Sequence, residues 1–450
     1  MSSRWADEEA DKALRQKEKE EKARKKLLKQ QKLEQQAALA AKKAAAAEEQ
    51  QLASQRSRND EDERPAKRQR TEEAAQDEPT ISTSRYRPVQ PTWRPCRHVS
   101  DYETLNAIEE GSYGWVSRAR HVESGSIVAL KHLKLDPSTT SQEGFPITAL
   151  REIQALKSSR SHDNIVTLHD VITGSTPSTN DVYLVMEFVE HDLKTLQESM
   201  ETPFAISEVK TLMLQITSAV DYLHTHWILH RDLKTSNILL SNRGVVKLAD
   251  FGMARTFGDP MPPALTQLVV TLWYRAPELL LGADKYDTAI DVWSLGCVMG
   301  ELLRNEPLLP GKNEVDQLSR IFATCGIPSS KTWPRFRSLP NARHLNLPSP
   351  PQTKEPTLRS LVADPTNLST AGVRLLESLL SLNPNRRPDA GEVLEHPWFT
   401  EDPRPKSTAM FPTFPSKAGQ ERRRRRPTPQ APRGGEAPKL DAADFSAVFG

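Results

Sequence analysis

His230-Arg231-Asp232-Leu233-Lys234-Thr235-Ser236-Asn237 is the stretch that decides how this chain is read. Asp232, Lys234 and Asn237 fall within six positions, so one short loop presents all three. Thirteen residues past Asn237 comes Asp250-Phe251-Gly252, and later Ala276-Pro277-Glu278. A carboxylate at Asp232 can orient a hydroxyl and accept its proton. Lys234 can neutralise a phosphoryl group in transit. Asn237 and Asp250 carry hard oxygen ligands suited to a hard cation such as Mg2+. His230 and Phe251 read as core residues stacked beneath such a site rather than as ligands.

Upstream, Gly111-Ser112-Tyr113-Gly114-Trp115-Val116 follows a strand-like stretch ending in Ile108. Its glycines permit a turn whose amides approach phosphate closely. Glu109 stands where a glycine-rich phosphate loop would carry its first glycine, so the stretch reads equally as a simple hairpin turn. Lys131 closes the strand-like run Ile127-Val128-Ala129-Leu130, where its charge can meet the α- and β-phosphates of a nucleotide. Glu152, in the helical run from Thr148 to Leu156, is the natural partner to hold that lysine in place.

The 450 residues exceed one ordinary domain, and the net charge of +2 excludes bulk binding of polyanions. Three cysteines, Cys96, Cys297 and Cys325, have no metal-ligand spacing and fit a reducing compartment. No apolar run approaches the roughly 18 residues of a membrane span. The charged N-terminus is no secretory signal, and an intracellular protein is expected. Residues 1–95 read as a charged, low-complexity extension. Within it, 7–51 is a solitary helix, or a docking helix or coiled coil for a partner, and 52–95 a disordered linker. Residues 102–399 form the ordered domain. A strand-rich part, ending near Val182-Tyr183-Leu184-Val185-Met186, is followed by a helix-rich part with helices expected from Ser207 to His224 and Asp287 to Leu303. That order indicates a two-lobed α+β domain. Residues 400–450 read as a disordered Pro- and Arg-rich tail.

These motifs resemble the eukaryotic protein kinases, and more closely the cyclin-dependent kinases, over roughly residues 102–399. Gly144-Phe145-Pro146-Ile147-Thr148-Ala149-Leu150-Arg151-Glu152 is similar to that family's cyclin-contacting helix. Glu109, the Val189–Lys194 segment, the Trp227–Asn237 segment and the Val269–Gly282 segment point to the PITSLRE-type branch. The PITALRE spelling also occurs in an elongation-type kinase, the alternative within the family.

The resemblance implies a bilobal kinase fold and a Ser/Thr kinase using ATP and Mg2+. It implies Lys131, Glu152, Asp232, Lys234, Asn237, Asp250 and Thr271 as the catalytic set, with Asn237 and Asp250 on the metal. Nucleotide contacts would come from Ile108, Glu109, Glu110, Gly111, Ser112, Tyr113, Gly114, Trp115 and Val116. Met186, Glu187 and Val189 would form the hinge to adenine, with Asp192 near the ribose. Thr266 would be an activating phosphosite facing Arg151, Arg231 and Arg255, and Ser112 and Tyr113 inhibitory ones. Glu278 would pair with Arg387, and Val270 with Arg275 would favour proline after the acceptor. Expected partners are a cyclin, Ser/Thr-Pro protein substrates and an activating kinase. The basic clusters at 67–70 and 422–426 read as nuclear import signals, nucleic-acid contacts or plain solvated charge. Two rivals stand beside this reading. A catalytically inactive kinase-fold scaffold could dispense with Lys131, Asp232 or Asp250, yet all three are present. A nucleic-acid binder would act through its tails.

Overall fold

The computed structural model describes residues 96–110, 114–133, 145–174, 181–258, 270–345, 357–366 and 368–415; for Glu109, Glu110, His344 and 363–366 it describes the backbone course only. Gly111, Ser112, Tyr113, Thr266, the 7–51 stretch and both basic clusters lie outside the described residues.

The N-terminal lobe is a five-stranded antiparallel sheet in the order β1-β2-β3-β5-β4. Its strands are β1 (Tyr102–Glu110), β2 (Gly114–His121), β3 (Ile127–Leu133), β4 (Leu168–Thr173) and β5 (Val182–Glu187). Alternation along these strands sorts side chains onto two faces. One face buries Ala119, Val128, Leu130, Ile172 and Val185 with Tyr102 in a small core of their own. The other sets Val116, Lys131 and Leu184 in one cross-strand row. Gly114 is required by packing: a Cβ there would collide with the His132 carbonyl of β3.

Between β3 and β4 runs helix α1 (Ile147–Ser158), which starts directly after Pro146. It buries Ala149, Glu152, Ala155 and Leu156 and leaves Ile147 and Leu150 exposed at 60% and 51%. The expected helix and strands are present, with ends shifted by a few residues.

In the C-terminal lobe, β6 (His191–Asp192) leads into α2 (Leu193–Ser199) and α3 (Ile206–Thr225). There follow β7 (Ile228–Leu229), β8 (Ile238–Leu240), β9 (Val246–Leu248) and β10 (Arg255–Thr256). Strands β6, β8 and β9 form one small sheet, and β7 pairs with β10. Beyond lie α4 (Pro277–Leu280), α5 (Ala289–Arg304), α6 (Glu314–Cys325), α7 (Leu358–Thr366), α8 (Thr370–Leu379) and α9 (Ala390–Leu394). Helix α5 is buried from Ile290 through Leu303, as an apolar helix at the centre of a lobe must be. It ends at Asn305 in a left-handed conformation, φ 59°.

Packing does not stop at residue 399. Residues 400–415 run back along α3, and Phe411 is buried in the main core. The sequence reading placed this stretch in an unstructured tail. Its apolar anchors, Phe411 and Phe414, are sparse and lie among prolines, so no periodicity betrayed them.

Candidate active site

Lys131 projects from β3 toward α1. Its Nζ donates to Glu152 Oε1 at 2.6 Å and to Asp250 Oδ1 at 2.9 Å. Burial opposes the ammonium, but the Asp250 and Glu152 carboxylates outweigh it and raise its pKa above the ordinary lysine value. Burial also pushes Asp250 upward, yet Lys131 prevails and holds that carboxyl below the usual range. At Glu152 burial wins over the lysine, and the pKa rises. Lys131 and Asp250 therefore face each other as ions.

The catalytic loop hangs between β7 and β8. Asp232 Oδ1 accepts from Thr271 Oγ1 at 2.8 Å and Thr271 N–H at 3.2 Å. Its Oδ2 accepts from Lys234 Nζ at 2.6 Å and Asn237 Nδ2 at 3.1 Å. Lys234 also donates to Thr271 Oγ1 at 3.1 Å. Asn237 Nδ2 donates again to the Asp232 carbonyl at 2.8 Å, which leaves the amide Oδ1 as the acceptor to offer a cation. Asn237 immediately precedes β8, and Asp250 lies two residues past β9, so one hairpin carries both candidate metal ligands. Asp250 adopts φ 61°, a left-handed conformation that turns it back toward Lys131. Two hard oxygen donors fit Mg2+ when phosphate oxygens complete the shell. Among the described residues no three His, Cys, Asp or Glu side chains gather to hold a metal by themselves.

His230 and Phe251 are buried and meet edge-on at 5.0 Å, as expected of packing residues. Burial lowers the pKa of His230. Its Nδ1 accepts from Asp232 N–H at 3.3 Å, and its Nε2 donates to the Ala249 carbonyl at 3.2 Å, so the neutral ring ties the catalytic loop to the residue before Asp250.

The other expected positions divide. Glu187 spends its side chain on Thr167 N–H at 2.7 Å and Lys247 at 2.9 Å, and its own N–H donates to the Thr167 carbonyl at 3.0 Å, so its part in a hinge falls to its backbone carbonyl. Asp192 caps α2, accepting from Thr195 N–H at 2.7 Å with one oxygen. The Trp115 indole stacks on His132, on the sheet face opposite Val116 and Lys131. Alternation sends it away from the cleft, so only its backbone can reach a nucleotide. Arg151, Arg231 and Arg255 do converge. After burial, the charges of Arg255 and Arg231 lower the Arg151 pKa. Part of Arg231 is already committed, to the Met253 carbonyl and Tyr286 hydroxyl, both at 2.8 Å. Glu278 and Arg387 form a buried bidentate pair at 2.6 and 2.8 Å.

Several supporting residues escaped the sequence reading. Asp291, fully buried on α5, accepts from the N–H groups of His230 and Arg231 at 2.9 Å each and from His224 Nε2 at 3.0 Å. Those donors keep its pKa low against burial. Glu301, also on α5, accepts from Thr235 Oγ1 at 2.8 Å and Tyr274 Oη at 2.6 Å. An acid inside an apolar helix is the one local signal for either.

Residues 102–399 match the protein kinase domain family. The chain belongs to that family, in its cyclin-dependent branch. It is 46% identical to cyclin-dependent kinase 11B of Mus musculus over 80% of this chain and 45% of that protein. It is 52% identical to serine/threonine-protein kinase ppk23 of Schizosaccharomyces pombe over 73% of this chain and 79% of that protein. Cyclin-dependent kinase G-2 of Oryza sativa subsp. indica is 49% identical over 74% of this chain and 46% of that protein. The chain thus spans just under half the length of the mouse and human relatives it matches. Within this kinase domain, Lys131 and Glu152 of the N-terminal lobe meet Asp250 of the C-terminal lobe.

Proposed function

We propose that this chain is a cyclin-dependent Ser/Thr protein kinase that transfers the γ-phosphate of Mg-ATP to Ser or Thr followed by Pro. The observation that carries the reading is the constraint on Asp232. Four hydrogen bonds from Thr271, Lys234 and Asn237 fix both its oxygens. A carboxylate so held aligns a substrate hydroxyl and accepts its proton without reorganising. Lys234, already in the site, balances charge at the transferring group, and Lys131 meets the α- and β-phosphates. Mg2+, held by Asn237 and Asp250, would supply charge neutralisation between the phosphates.

Proline selection has a local cause. Val270 adopts φ 67°, and its carbonyl accepts from Arg275 Nε at 3.2 Å and Nη2 at 2.9 Å. Glu314 holds that arginine at 2.8 Å. The Val270 carbonyl is therefore committed before any substrate arrives. A residue after the acceptor would find no partner for its N–H, and proline has none to lose. An unpaired buried donor costs about 1–3 kcal/mol. Peptides with Pro after the acceptor should then exceed their Ala counterparts in kcat/KM by about tenfold or more. Equal rates would contradict the reading.

Exposed Ile147 and Leu150, on the helix whose buried face carries Glu152, suit a cyclin that sets the helix. The relatives named cyclin-dependent kinase support the same partner. Thr266 is proposed as the activating phosphosite, modified by another kinase and read by Arg151, Arg231 and Arg255. Phosphorylation of Ser112 and Tyr113 is proposed to inhibit. The basic clusters support a nuclear location, and with it roles in transcription, pre-mRNA processing or the cell cycle.

A further inference from the structure

The small sheet β6-β8-β9 carries three nucleotide-side residues: Asp192 on β6, Asn237 before β8 and Asp250 after β9. The tip of its hairpin, residues 241–245, rests on the 400–415 segment that lies beyond the family match.

That segment is tied down along its length. Lys210 Nζ donates to the Glu401 carbonyl at 2.9 Å. Lys406 N–H donates to the Ser207 carbonyl at 3.0 Å, its Nζ to Glu208 Oε1 at 2.8 Å, and its carbonyl accepts from Thr211 Oγ1 at 2.6 Å. Past this anchor the chain crosses the hairpin tip. Gly244 has φ 75°, and a Cβ there would lie 2.6 Å from the Thr408 carbonyl oxygen and 2.9 Å from Phe411 Cβ. The tip is thus shaped to receive the segment. Phe411 is buried against it. Phe414 N–H then donates to Asn242 Oδ1 at 3.1 Å, and the same oxygen accepts from His191 Nε2 at 3.0 Å. The Phe414 ring meets His191 edge-on at 6.0 Å. His191 is the neighbour of Asp192 on β6.

We propose that residues 400–415 are a built-in strap that positions the nucleotide-binding sheet, acting through Asn242 and His191 on Asp192, Asn237 and Asp250. Each strand between tip and site spans only three residues, about 10 Å, so a tilt at the tip reaches the site with little slack. Phe414 and Asn242 are positioning residues here, since neither lies at the reacting atoms. The proposal rests on the reading of this cleft as an ATP site.

Binding of Mg-ADP to the full chain, by titration calorimetry, separates the two. Asn242→Ala, which removes the acceptor shared by Phe414 N–H and His191, and Phe414→Ala, which keeps that backbone N–H but removes the ring packed on His191, should each weaken Mg-ADP binding about three- to tenfold. The nucleotide-free melting temperature should move little. Met410→Ala, at an exposed position of the same segment, should leave affinity unchanged. Unchanged affinity in both Phe414→Ala and Asn242→Ala, with or without a lower melting temperature, overturns the strap as a positioning device. Failure of the wild-type chain itself to bind Mg-ADP overturns instead the nucleotide reading on which the strap depends.

Discussion

Arg231 sits at φ 64° within the catalytic loop, a left-handed conformation that costs a residue with a side chain about 1–3 kcal/mol. Asp291 offsets that cost by accepting the N–H groups of both His230 and Arg231. Asp291→Ala removes the acceptor and leaves two buried donors unpaired, each worth about 1–3 kcal/mol. We expect a stability loss of about 3 kcal/mol or more, read as a lower urea midpoint at unchanged slope. An unchanged midpoint would show that the loop holds itself. Legibility at this scale follows distance along the chain. Asp232, Lys234 and Asn237 lie within six residues and were readable together. Asp291 contacts them from some 60 residues away, where spacing carries no information. The motif names Trp115 without a face, and the alternation of β2 turns its indole away from Lys131.

At the scale of elements, β3, β5, α1, α3 and α5 were legible from β-branched runs and apolar spacing, with ends off by at most two residues. The short strands β6, β7 and β10 were not, since two residues have no period. Helix α1 divides its labour by face: Glu152 inward to Lys131, Ile147 and Leu150 outward. Ile147→Asp puts a charge on the outward face, which water solvates in the free chain but an apolar partner does not. We expect cyclin binding to be lost while the melting temperature of the free chain stays within about a degree, as for a surface substitution. Binding of normal affinity, measured by calorimetry, would remove this helix from the docking surface.

Across the whole molecule, the two lobes are coupled at a few charged contacts. Lys131, Glu152 and Asp250 join β3, α1 and the end of the β8–β9 hairpin. Arg151, Arg231 and Arg255 bring α1, the catalytic loop and β10 to one place, where like charges repel. A phosphate on Thr266 would add about −1.5 to −2 charges against that cluster. Thr266→Ala should therefore lower activity of the cyclin-bound enzyme and leave nucleotide affinity of the free chain unaltered. Full activity of Thr266→Ala, or phosphopeptide mapping of active enzyme with no phosphate there, would refute the switch. The central claim is phosphoryl transfer at Asp232, and it is tested most directly by transfer of labelled γ-phosphate to a Ser-Pro peptide by purified, cyclin-bound enzyme. The wild type should transfer label, and Asp232→Asn should bind Mg-ADP normally while its kcat falls by about 10²-fold or more. A variant that turns over at the wild-type rate would contradict the account.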